Sequence, residues 1–194
     1  MRSALVLAIL VTLPLRAVDI EAGVEHVFAM PMGDTGELEI PTSRGFGAHL
    51  EIFWSERVST RASAVFLNPA AILYPDNPPP NDIDLGTLGL DIYSATARFH
   101  FARHRGFSGF AGGGVALVEI GNLDDQFDDE IEIEFDPQTT FVVEGGVRYR
   151  VHPHIVLEVG AAYLPLELKD APPPLQPSIG VDPLLISAGV AWHF

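Results

Sequence analysis

The chain ends on Leu-Leu-Ile-Ser-Ala-Gly-Val-Ala-Trp-His-Phe, from Leu184 to Phe194, and this segment restricts the fold more than any other. Leu184, Ile186, Ala188, Val190, Trp192 and Phe194 fall on one face, and Leu185, Ser187, Gly189, Ala191 and His193 on the other, as a two-residue period requires. A face that is apolar and ends in aromatic residues suits lipid, and a face of small and polar residues suits an enclosed lumen. The segment predicts the closing strand of a bacterial outer-membrane barrel.

The opposite terminus supports export. Arg2, an apolar run from Ala4 to Leu13 and the small residue Ala17 form the three parts of a signal peptide, so residues 1–17 are expected to be a cleaved leader and 18–194 the mature domain. A membrane-spanning helix needs about 20 apolar residues, and no segment supplies them, so any span must be made of strands. Loss of Arg2 and Arg16 takes the formal charge from -15 to -17. So acidic a chain is a poor partner for nucleic acid. It contains 0 cysteines, which excludes disulfides and thiolate metal sites.

Period-two segments bounded by turn residues predict an all-β fold, an eight-stranded antiparallel transmembrane β-barrel. The strands are expected at Val18 to Ala29, Gly45 to Trp54, Val58 to Asn68, Thr87 to Arg103, Gly106 to Ile120, Thr139 to Val151, Ile155 to Leu168, and Pro183 to Phe194. Their connections alternate in length. Ser55-Glu56-Arg57, Arg103-His104-Arg105 and His152-Pro153-His154 are tight, as periplasmic turns are, whereas 30–44, 69–86, 121–138 and 169–182 are long, as extracellular loops are. The long loops hold Pro78-Pro79-Pro80, Pro172-Pro173-Pro174 and an acidic stretch from Asp124 to Asp136. That stretch lacks the glycine a calcium-binding EF-hand turn needs and reads as a solvated surface.

Outward registers place Trp54, Phe99, Phe101, Tyr149, Trp192 and Phe194 near the periplasmic interface, and Phe28, Phe66, Tyr93, Phe141 and Tyr163 near the outer one, giving two aromatic girdles. Inward registers give two tiers. Near the periplasm stand His49, Glu51, Ser59, Arg61, Ser94, Thr96, Arg98, His100, Arg148, Arg150, Glu158 and His193. Charges inside a small barrel are costly unless paired, so Glu51, Arg61 and Arg98, and separately Arg148 and Glu158, are expected to form a salt-bridged floor. Toward the outside the same faces carry Val65, Leu67, Leu88, Leu90, Ile92, Val142, Leu164 and Leu166, with Val115 and Leu117 also assigned inward. The expected ligand-binding and channel residues are Leu67, Leu90, Ile92, Val142, Leu164 and Leu166, an apolar cup for small hydrophobic solutes; equally, these side chains simply fill the barrel. Pro165 cannot donate a ladder hydrogen bond, so it marks either a lateral exit into the bilayer or the end of the seventh strand.

The ending from Val181 to Phe194, the early Glu21-Ala-Gly-Val-Glu25, the glycine-rich run from Gly109 to Gly114 and Glu144-Gly-Gly-Val-Arg148-Tyr149 together resemble the OmpW family of small outer-membrane barrels. The resemblance implies an eight-stranded barrel with an apolar channel that passes small hydrophobic molecules sideways into the membrane. A second reading is a closed structural or surface-interaction barrel whose acidic, proline-rich loops contact partners or divalent cations. A lipid hydrolase is least supported: Ser187 and His193 share a face, but six residues at about 3.4 Å each hold them about 20 Å apart. His152 and His154 flank Pro153 in a turn, so neither a metal nor a cofactor is assigned, and no residue is assigned a catalytic role. Outer-membrane lipid and small hydrophobic solutes are the partners expected; the sequence does not determine the oligomeric state.

Overall fold

Alternation of apolar and polar side chains becomes a wall only when every strand finds two neighbours. In the computed structural model, which describes residues 19–32, 38–39, 41–73, 83–123, 136–169 and 178–194, eight strands do so. They are β1 (Asp19–Pro31), β2 (Ser43–Phe53), β3 (Val58–Leu67), β4 (Ile83–His104), β5 (Phe107–Leu123), β6 (Gln138–His152), β7 (Ile155–Tyr163) and β8 (Pro183–His193). Each pairs antiparallel with the next, and β8 returns to β1 in a register running from Glu21 opposite His193 to Pro31 opposite Pro183. Closure leaves no edge, which hydrocarbon demands of any backbone that crosses it. The leader expected over 1–17, both triple-proline segments and residues 124–135 of the acidic loop lie outside the described residues.

The barrel wall continues beyond the eight-strand ring on the side bearing the long connections. Leu38–Glu39 pairs with Ala70–Leu73, which in turn pairs with the start of β4, and Glu167–Lys169 pairs with Ser178–Gly180. At the other end the turns are tight. Ser55 Oγ accepts hydrogen bonds from the backbone N–H of Arg57 at 3.2 Å and of Val58 at 3.1 Å. Arg105 and Gly106 both have positive φ, 48° and 86°, and join β4 to β5 as a two-residue turn of the mirror-image type that matches strand twist. The expected turn at Arg103-His104-Arg105 is therefore displaced. A register shift between Phe101 and His104, with Ala102 at φ 51°, inserts a bulge that lengthens β4.

Outward residues form the membrane-facing belt. Val24, Phe46, Phe99, Phe101, Phe141, Tyr149, Val159, Trp192 and Phe194 are exposed, and Trp54 Nε1 donates to Thr60 Oγ1 at 3.0 Å, satisfying the indole at the interface. No helix among the described residues is long and apolar enough to cross a membrane. The spanning surface is made by strands.

One inward register differs from expectation. Val115 is 59 % exposed and Leu117 is also exposed, while Ala116, Val118 and Ile120 are buried. Pairing of Ile92 with Val118 and of Leu90 with Ile120 sets the parity of β5. The run Gly112-Gly113-Gly114 carries no hydropathy signal of its own, and a slip of one residue there exchanges the two faces of everything beyond it.

Candidate functional site

The lumen is built from one side chain at a time, every second residue, and the strands deliver opposite charges to one level. Arg98 on β4 holds Glu144 on β6 in a bidentate pair, Nε to Oε1 at 3.0 Å and Nη2 to Oε2 at 2.5 Å. Its Nη1 also donates to Glu158 on β7 at 3.1 Å and to Glu51 on β2 at 3.3 Å. Arg61 on β3 donates to Glu25 on β1 at 2.5 Å and to Glu158. Arg148 on β6 pairs with Glu21 on β1 and has its Nε 3.0 Å from Glu158. His193 on β8 lies 3.1 Å from Glu21. All of these groups are buried except His193, which is partly exposed, and Glu144, at the margin of burial.

Among the sequence-assigned charges, Arg98 meets Glu51, and Arg148 meets Glu158. Arg61 stands opposite Glu51 in the ladder, but its guanidinium turns to Glu25 and Glu158. Arg150, assigned inward, is half exposed, with Nη2 3.8 Å from Glu21. Three acids in the network, Glu21, Glu25 and Glu144, were not placed in it by sequence reasoning. Glu21 and Glu25 share β1's inward parity with Val27, and that parity was the available signal.

Phe110 was also missed. It is an inward side chain of β5 at the level of the floor, 2 % exposed, with the Arg98 guanidinium carbon 4.1 Å from its ring centroid and Gly146 beside it. A Cβ at Gly146 would clash with Val159 O and come within 2.7 Å of the ring, so the phenyl group packs where glycine alone leaves room. With Phe110 counted, each of the eight strands contributes to the floor.

Ser59, His100 and Glu51 meet inside this network: Ser59 Oγ donates to Glu51 Oε1 at 2.5 Å and lies 2.8 Å from His100 Nε2. Glu51 Oε1 is 3.2 Å from the same ring nitrogen. In a nucleophilic triad the acid holds the ring nitrogen opposite the one facing the hydroxyl. Here both address Nε2 and Ser59 is 0 % exposed, so the cluster is part of the floor. His152 and His154 have ring centroids 5.8 Å apart, and His154 stacks on Trp192; among the described residues no group of three ligating side chains gathers for a metal.

Above the floor the lumen is apolar. Leu67, Leu90, Ile92, Val142, Leu164 and Leu166 are all buried in one cluster with Val27, Val118 and Leu185. A cavity of about 50 Å³ remains between the tiers, room for a few water-sized groups. Beside the cluster the wall is incomplete. The β6–β7 and β7–β8 ladders both reach Tyr163 and stop, so β7 ends five residues short of the expected Leu168 and Leu164-Pro165-Leu166 lies outside any strand. Leu164 N donates to Pro183 O at 3.2 Å and Leu166 N to Asp182 Oδ1 at 2.9 Å, which ties the segment to the β8 side. Toward β6, Gln138 to Val142 lie beyond the last β7 pair, and among the described residues Thr140 Oγ1 donates across that side to Pro165 O. Pro165 has no N–H to return.

A closed ring of eight paired strands, an outward apolar belt with aromatic margins and a lumen lined by paired charges and packed apolar side chains define the protein as a small β-barrel of the bacterial outer membrane. The fold is that of OprG from Pseudomonas aeruginosa, at 12 % identity over 92 % of this chain and 97 % of that one, TM-score 0.75. It is likewise that of AlkL (14 %, 94 % and 95 %, TM-score 0.60) and of Outer Membrane Protein W from E. coli (12 %, 93 % and 100 %, TM-score 0.53). The resemblance drawn from the closing strand thus has its counterpart among solved structures with this architecture. No family model matches the sequence, and no curated protein matches it either.

Proposed function

We infer that this barrel, exported by its leader (residues 1–17), admits small hydrophobic molecules from the extracellular side and releases them sideways into the bilayer. The observation that carries this reading is the incomplete ladder above Tyr163, placed directly beside the apolar cluster and over a charged floor. A molecule among Leu67, Leu90, Ile92 and Val142 meets a network of ionised groups below it and an apolar environment around it. Removal of its apolar area from water contributes about 25 cal/mol per Å². Leu164 and Leu166 lie on the segment that separates it from lipid, and Pro165 leaves that segment short of one backbone donor. Displacement of Leu164-Pro165-Leu166 is the opening step.

The test returns the missing donor. In vesicles with a lipopolysaccharide outer leaflet, Pro165→Ala, which restores the backbone N–H, slows the uptake of an apolar tracer severalfold relative to the native chain. Unaltered uptake by Pro165→Ala overturns the lateral route. The small cavity favours the second reading, a closed surface barrel acting through its loops, and that reading gains if the native chain passes no tracer at all.

A further inference from the structure

The geometry points to an amphiphilic occupant, a short apolar body carrying one neutral hydroxyl-type head, whose head docks on Ser63 and Ser94; this rests on the reading of the lumen as a solute site. The inward residues of β3 run Arg61, Ser63, Val65, Leu67, and those of β4 run Arg98, Thr96, Ser94, Ile92, Leu90. Between the charged level and the apolar level both strands present a hydroxyl, and the two serines face each other in the ladder with their oxygens 2.7 Å apart. β8 repeats the order with Ser187 next to Leu185 on the inward face. The cavity between the tiers is lined by all three serines, with Glu25, Glu144 and Glu158 below and Val65, Ile92 and Leu185 above.

The charge pattern selects the head. Each carboxylate at the cavity already receives a guanidinium N–H, Glu25 from Arg61, Glu144 from Arg98 and Glu158 from both. A cationic head therefore meets acids that are taken and two arginines of its own sign, and an anionic head meets the reverse. A hydroxyl finds a serine pair that both donates and accepts. The same cavity explains why a plain hydrocarbon is the poorer fit: its terminal methyl would bury the serine oxygens against carbon.

The test is binding to the refolded chain in lipid nanodiscs, read by amide chemical shifts and run with 1-octanol, octane and octylammonium at matched mole fraction in the lipid. Octanol is expected to perturb Ser63, Ser94 and Leu164 together and to bind about tenfold more tightly than octane, the size of one buried neutral hydrogen bond. Ser63→Ala with Ser94→Ala removes that preference by weakening octanol and tightening octane, and Ser94→Thr, which keeps the hydroxyl, retains it. Octane binding as tightly as octanol, or octylammonium binding more tightly, overturns the head-group assignment while leaving the apolar site standing. Absence of any lumenal shift with all three overturns the apolar site itself, and this proposal with it.

Discussion

The two tiers of the lumen occupy the same eight strands and obey opposite rules. In the lower one, Arg98 touches Glu51, Glu144 and Glu158, and Glu158 also holds Arg61 and Arg148, so each group is specified by partners on several strands. In the upper one, Leu67 and Leu164, each 1 % exposed, need only neighbours of the right volume. Exact pairing closes the barrel at one end, whereas bulk packing fills it at the other. Bulk packing is also what a solute can displace, because a leucine gives way to another apolar group at little cost, and an ion pair does not.

The sharpest way to break this contrast is Arg98→Met. It keeps an unbranched apolar stem but removes the guanidinium shared by Glu51, Glu144 and Glu158, leaving Glu144 without its bidentate partner, and it is expected to lower unfolding free energy by about 3–5 kcal/mol, measured by urea titration of the refolded barrel in lipid. A loss below 1 kcal/mol would show that the floor is dispensable. Glu51→Ala comes next. It leaves Ser59 and His100 without their shared acceptor and Arg98 with two acids instead of three, for a loss of about 1–3 kcal/mol in the same titration. In the upper tier Leu67→Met or Leu164→Met conserves volume and should cost less than about 1.5 kcal/mol, while Leu67→Arg, buried there without a partner, should stop apolar uptake. The smallest effect is expected from Thr140→Val, which removes the bond to Pro165: about 1 kcal/mol of stability, with faster tracer passage as the opposing sign.

Parity made the lumen legible. Counting every second residue from each turn placed Glu51, Arg61, Arg98, Arg148 and Glu158 on one face of their strands, and Leu67, Leu90, Ile92, Val142, Leu164 and Leu166 on the same face higher up. Height across the barrel was not legible, because it depends on the stagger between strands far apart in sequence. Arg61 therefore reaches Glu158, and Arg148 reaches Glu21, pairs that no local spacing suggests. The Gly112-Gly113-Gly114 run hid the register of β5 and with it Phe110, whose only trace was Gly146 opposite it in the ladder. The end of β7 was misplaced for a different reason: Leu164, Leu166 and Leu168 continue the alternation, but Asp182 takes the Leu166 amide and Pro165 supplies none.

The most direct test of the account compares uptake of a small apolar tracer with that of a sugar of similar size, in vesicles with a lipopolysaccharide outer leaflet, with and without the protein. A sealed ionic floor beneath a displaceable apolar tier predicts that the protein accelerates the tracer and leaves the sugar at the rate of bare vesicles. Equal acceleration of both would mean a continuous aqueous path through the floor and would contradict it.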